Sequence, residues 1–317
     1  MTLLARDSQA PLRAQSPVSR YIDIGFKGLT GFFGIAIGLT LLAIAWQVAN
    51  QSWPAIQEFG LGFLTSTTWN PVTNQYGAWP AIYGTLVSSF IALLLALPVG
   101  VGVALFLSED FLPPRIQQPL VFLIELLAAI PSVVYGLWGI FVLIPFLGKQ
   151  ALWLHQNFGW IPFFSTPPRG PGMYIAGVIL AIMTLPIIAA ISRDALVSVP
   201  PELRQASYGL GATRWETIFK VILPSAFSGI VGATMLGLGR ALGETMAVTM
   251  VIGNANTVSP SVFSPATTIA SLLANQFAEA SGLQISSLMY TALILFGLTL
   301  VVNILAEVLV RTMRQSL

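Results

Sequence analysis

The stretch Arg204–Pro224, RQASYGLGATRWETIFKVILP, decides how this 317-residue chain is read. It concentrates Arg204, Arg214, Glu216 and Lys220, with Glu202 just ahead, in a chain where only 8% of residues are charged. Long apolar segments flank it on both sides. Its punctuation is helical. Pro200 and Pro201 suit a first helical turn, where no amide donor is needed, and Glu202 lies near the positive end of that helix. Gly209 and Gly211 interrupt it. Thr213 and Glu216 have capping-box spacing, which starts a second helix at Thr213. Pro224 marks the end of that helix or a sharp redirection. The expectation is a short helix, a glycine turn and a second short helix that can lie flat against a partner. An ordinary solvated loop would need less local design than this.

Working outward, 55% of the residues are hydrophobic and the mean hydropathy is +0.81. A charged fraction of 8% is far below the roughly 25% of soluble domains. The chain reads as an all-α membrane protein that crosses the bilayer about six times. Apolar stretches long enough for a layer of roughly 30 Å fall at 28–49, 80–107, 117–147, 173–195, 225–252 and 286–310. The polar N-terminal stretch is too long for a cleaved signal, so 28–49 is expected to be a retained helix. Pro98, Pro131 and Pro186 are expected kinks. Orientation follows from lysine and arginine. With the N-terminus inside, Arg6, Arg13, Arg20, Lys27, Arg115, Arg193, Arg204, Arg214, Lys220, Arg311 and Arg314 are inside, and only Lys149 and Arg169 outside. Eleven against two is a strong positive-inside bias. It puts both termini and the island at 196–224 in the cytoplasm. The loops near 50–79, 148–172 and 253–285 then face outward, rich in Trp, Phe, Pro, Ser, Thr and Asn, as folded caps.

Composition also excludes chemistry. There is no cysteine and one histidine, His155, so no thiolate and no histidine metal cluster is expected. The net charge of +2 leaves no nucleic-acid footprint. The three lysines, Lys27, Lys149 and Lys220, close no glycine-rich phosphate loop, since Gly148-Lys149 is followed by Gln150. If ATP is used, a separate subunit supplies it.

Glu125, Arg240 and Glu244 fall inside apolar segments. Facing lipid, each would cost about 2.5–3.5 kcal/mol on insertion scales. Arg240 and Glu244 are four apart and, on one helix, share a face. Two readings stay open. They form a structural ion pair, or Arg240 is a way station for an anion, its planar fork of donors suited to a tetrahedral oxyanion, with Glu244 holding it in place. Glu125, just ahead of Pro131, is expected to be protonated, or paired with Arg240 or a partner subunit. Gly229, Ala233, Gly237 and Ala241 recur every four residues, with Gly239 and Gly243 on a nearby face. Such spacing allows close helix approach, within a permease core or against a second permease. Trp79, Tyr135 and Trp138 read as packing or interface aromatics.

The island resembles the EAA loop of ABC-importer permeases: Glu-Ala-Ala, three residues, Gly, nine residues, Ile-x-Leu-Pro. Ala206, Gly211, Leu223 and Pro224 match it, while Gln205, Ser207 and Val221 stand where the pattern has Glu, Ala and Ile. Three further blocks are similar to phosphate-importer permeases: WNPVTNQYGAWPAIYGTLVSS at Trp69–Ser89, IELLAAIPSVVYGLWG at Ile124–Gly139 and LGLGRALGETMAV at Leu236–Val248. The resemblance implies a type I ABC importer permease fold. Its parts would be a cytoplasmic tail at 1–27, a first span at 28–49, an outer loop at 50–79, a core of five spans at 80–310 and a tail at 311–317. It implies a coupling helix at 200–224 made by Glu202, Arg204, Gln205, Ala206, Gly211, Thr213, Arg214, Glu216, Leu223 and Pro224.

It further implies one of two unlike permeases of an inner-membrane phosphate importer. The partners would be a homologous permease, PstA, an ATPase dimer, PstB, and a phosphate-binding protein, PstS. ATP and magnesium would be used by the ATPase, with no cofactor in this chain. Arg240, Glu244 and Glu125 would line the translocation pathway, and Arg240 and Glu244 would matter for transport. The rival readings are a permease for molybdate or sulfate, the sister phosphate permease and an ATP-independent secondary transporter. The last predicts inverted repeats that are not evident here. A membrane enzyme lacks a nucleophile–base pair.

Overall fold

The computed structural model describes residues 17–109 and 111–314, and the outermost parts of both expected tails, including Arg6 and Arg13, lie outside that range. Among the described residues the chain is helical, with two isolated β-bridges. Among the described residues, six helices are long and apolar enough to cross a membrane. Two units are distinguished, one through Asn50 and one from Gln51 onward. The first consists of α1 (Pro17–Phe59) up to Asn50, with apolar side chains such as Phe33, Leu42 and Trp46 exposed. α1 starts before the expected tail boundary and runs past the expected span, because the Lys27 region carries no helix breaker and Pro54 is tolerated inside the helix.

The second unit is built around α2 (Trp79–Ser108), α6 (Met173–Val197) and α9 (Leu223–Gly243). α2 and α6 pack along their lengths, and α9 packs on both. One side chain shows why. Ile188 of α6 is fully buried between two glycines, where an added methyl at Gly100 of α2 or Gly237 of α9 would meet it at 2.9 Å. Backbones that close need residues without a Cβ. The expected small-residue stripe on α9 therefore serves this chain's own core. Ala233 and Ala241 are buried, Gly229 faces Ala195 and Gly237 faces Ile188. Gly239 and Gly243, in contrast, have open space beside them.

Three corrections concern element ends. The single span expected at 117–147 is two elements: α3 (Pro114–Ala128), none of whose residues is buried, and a helix from α4 (Ser132–Trp138) through a π turn into α5 (Ile144–Phe158). Pro131, with an extended ψ of 139°, separates them rather than kinking one helix. The span expected at 225–252 stops at Gly243, and the short α10 (Met246–Val251) follows. Pro224 does not end its helix. A π turn at Ile218–Ile222 leads straight into α9, with Pro224 in the first turn. There the missing N–H costs little. Pro98 and Pro186 sit inside continuous α2 and α6.

The end of α2 near Trp79 carries a folded cap. Phe63 stacks on Tyr290 at 4.6 Å, Trp69 donates to Gln276, and Thr85 Oγ1 accepts the backbone N–H of Ile269. That last bond anchors α11 (Ile269–Gln276), which starts with its own capping box at Thr268 and Ser271. The long α12 (Leu283–Arg314) closes the chain.

Candidate functional site

The island lies at the other end of α2. Its first helix, α7 (Pro201–Gly209), starts after Pro200 with Glu202 in the first turn. It ends on a Schellman motif, in which Ala212 N donates to Ser207 O and Gly211 N to Tyr208 O. Gly211 takes φ +84°, the left-handed region where a side chain is strained. The second helix, α8 (Arg214–Thr217), starts on the expected capping box. Glu216 Oε2 accepts from Thr213 N and Thr213 Oγ1, and Glu216 N donates to Thr213 Oγ1. The two helices are joined by the Ser207–Thr217 hydroxyl pair at 2.9 Å.

The island has a buried side and an open one. Ile218 and Ile222 pack with Ala104, Leu196, Val199 and Ala226. Leu203, Gln205, Ala206, Tyr208, Leu210 and Trp215 stay exposed, with Leu210 91% exposed. Leu223 is partly buried, and Pro224 lines an apolar groove with Leu97, Pro98 and Val101 of α2. Glu202 is exposed and Arg204 is not free. Its guanidinium reaches Glu109 at 3.0 Å and donates to Leu196 O and Val199 O. Arg214 sits 3.7 Å over the ring of Phe111. Glu109 and Phe111 were missed in the sequence. They lie about a hundred residues upstream, in a junction between two spans that gives no local signal.

The charges within the spans are arranged differently. Of the two open readings, the Arg240–Glu244 ion pair is not formed, because Gly243 ends α9 and Glu244 is its extended C-cap. Glu244 no longer continues the helical face of Arg240, and its Oε1 accepts from Ala247 N at the start of α10 instead. Among the described residues no carboxylate lies within salt-bridge distance of Arg240, and its Nε is buried without a hydrogen-bond partner. An unmade buried donor costs on the order of 1–3 kcal/mol. Tyr135 lies within electrostatic reach of Arg240 and donates to Leu127 O.

Glu125 is not brought to Arg240. It lines a narrow crevice between α3 and α6 with Arg193 and Asp194. Arg193 holds Asp194 only loosely, at 3.5 Å, and its own Nε lacks a partner. Among the described residues no cluster of three or more His, Cys, Asp or Glu could hold a metal.

Comparison with known proteins agrees with this architecture. The family described as binding-protein-dependent transport system inner membrane component matches residues 96–315. The phosphate transport system permease protein PstC of Haemophilus influenzae is 46% identical over 93% of this chain and 95% of its own length. That of Pasteurella multocida is 47% identical over 91% and 92%. Among solved structures, a bacterial alginate ABC transporter bound to its periplasmic protein aligns over 90% of this chain and 95% of its own, with TM-score 0.57 and 18% identity. The inward-facing MetNI methionine ABC transporter aligns over 75% and 94%, with TM-score 0.52 and 22% identity. These two likenesses show the fold alone. Family match and near-full-length identity together place the chain in the binding-protein-dependent transport system inner membrane component family, among the phosphate transport system permease proteins PstC.

Proposed function

We propose that this chain is one of two permease subunits of an ATP-driven importer of inorganic phosphate in the inner membrane, with both termini cytoplasmic. The observation that carries the substrate is the 46% identity to a phosphate transport permease over 93% of the chain. A second permease of the PstA kind would complete the pathway, a PstB-type ATPase dimer would bind ATP and magnesium, and a PstS-type protein would deliver phosphate from outside. The open face of the island, with Leu203, Tyr208, Leu210 and Trp215, suits the groove of an ATPase as an amphipathic helix suits an apolar groove. Gln205 stands on that face without the family's carboxylate, so it contributes hydrogen bonds rather than a salt bridge there.

On this reading Arg240 contacts the anion during passage. Its donors are uncommitted within the chain, and a guanidinium meets a phosphate through two parallel hydrogen bonds. Glu244, held on the backbone of α10, keeps a negative charge nearby that prevents the site from trapping phosphate. Glu125 and Arg193 lie deeper, toward the island end of the same unit.

The test is uptake of labelled phosphate by cells lacking the gene, with and without its restoration, in excess sulfate or molybdate. Gene-dependent uptake that resists both competitors is the expected result. Unchanged phosphate uptake would reassign the substrate to another oxyanion. Uptake that survives loss of the ATPase would move the chain to the secondary transporters.

A further inference from the structure

The junction between α2 and α3 places a carboxylate where helix physics disfavours one. Glu109 caps the C-terminal end of α2, its N–H bonded to Leu105 O, and only 7% of it is exposed. A negative charge at the negative end of a helix dipole, out of water, is costly on both counts. Arg204 offsets that cost, and one guanidinium does three things at once. It pairs Glu109 at the end of α2, takes Leu196 O and Val199 O at the end of α6, and belongs to α7 of the island. Two residues on, Phe111 stacks on Phe106 in the last turn of α2 at 5.8 Å. It also meets Trp215 at 5.9 Å and carries the Arg214 guanidinium over its ring.

Each short helix of the island is therefore tied to the end of α2 by a different contact: α7 by a buried ion pair, α8 by an aromatic and cation–π stack. A buried ion pair is poor evidence of stability, since apolar replacements often serve as well. Its geometric use is to fix register between elements. We infer that Glu109 and Phe111 are positioning residues that make the island, α2 and α6 one moving body. Displacement at the ATPase face then reaches the spans without slack. This rests on the proposed ATPase contact of the island.

The absence of native cysteine makes a clean test possible. In the purified transporter with its partner subunits, reconstituted in proteoliposomes, Leu105→Cys of α2 and Phe219→Cys, just beyond α8 on the same groove, are joined by a bifunctional methanethiosulfonate reagent whose disulfides can be reduced again. A clamp that never opens predicts that cross-linked transporter keeps phosphate uptake within twofold of the reduced form. In parallel, Glu109→Gln is compared with wild type at matched amounts of assembled complex. The expected result is a tenfold loss of phosphate carried per ATP hydrolysed, with ATP hydrolysis itself within twofold, and substantial rescue by Glu109→Asp.

Uptake blocked by the cross-link and restored by reduction would overturn the clamp. So would a Glu109→Gln transporter whose uptake falls only in proportion to assembly, because that is a folding role. Should Gly211→Pro leave substrate-stimulated ATP hydrolysis unchanged, the ATPase reading and the clamp fall together. The cross-link and Glu109→Gln results overturn the clamp alone.

Discussion

At the island, Arg204 holds Glu109 at 3.0 Å, Arg214 covers Phe111, Lys220 reaches Glu216 at 3.5 Å and the Thr213–Glu216 box is closed on both sides. Outside the island, Arg240 and Glu125 have no ion-pair partner among the described residues, and Glu244 bonds only a backbone N–H. The island's Lys220–Glu216 pair is exposed, where pairing is worth least, often below about 1 kcal/mol. Energy alone does not explain why that exposed pair is made while Arg240, its Nε buried, is left without a carboxylate among the described residues. The contrast instead follows what each region must do. Charges that hold a surface in shape are satisfied inside the chain, and on the proposed reading Arg240 stays uncommitted to meet a passing anion.

The largest expected effect breaks the island. Gly211→Pro demands φ near −65° where the chain has +84° and removes the N–H donated to Tyr208 O. It is expected to bring substrate-stimulated ATP hydrolysis to the basal rate in the purified transporter. Unchanged stimulation would detach the island from coupling.

A second test separates the two faces of α9. Gly237→Val drives a side chain into Ile188, an overpacking worth about 1–3 kcal/mol. A fall of several degrees in the thermal midpoint of the solubilised protein is expected. Gly239→Leu enters open space and is expected to leave that midpoint unchanged while reducing recovery of the second permease. Equal behaviour of the two variants would erase the distinction between the inner and outer faces.

The smallest effect belongs to Glu244. Glu244→Gln retains an oxygen for Ala247 N, so stability is expected to change by less than about 0.5 kcal/mol. Glu244→Ala loses that hydrogen bond, at a cost of about 1 kcal/mol. Thermal unfolding of both variants checks this. If Glu244→Gln is as unstable as Glu244→Ala, the charge and not the hydrogen bond holds α10.

What could be read from the sequence was whatever depends on near neighbours. The helix–turn–helix of the island, its start after Pro200, the Gly211 turn and the Thr213–Glu216 box are all set within three or four residues, and all are present. Six apolar helices were legible for the same reason, since length and hydropathy are properties of a window. The failures came from ends and from distance. Pro131 marked a bend, but the apolar run around it gives no signal that the bend is a full break separating α3 from α4. The i, i+4 pairing of Arg240 with Glu244 assumed a helix that Gly243 ends. Pro224 looked like a stop because the π turn ahead of it, set by packing of Ile218 and Ile222 in the core, cannot be read locally. The Arg204–Glu109 pair joins residues 95 apart, and only the packing of α2 on α6 brings them together.

The most direct test of the uncommitted guanidinium is phosphate uptake by Arg240→Lys in the reconstituted transporter, at matched assembly. Lysine keeps the charge and removes the planar fork. With charge-assisted hydrogen bonds worth about 1.5–3 kcal/mol, the account predicts a loss of about 10- to 150-fold in uptake with an intact complex. Uptake equal to wild type would contradict it and leave Arg240 a point charge with no bidentate role.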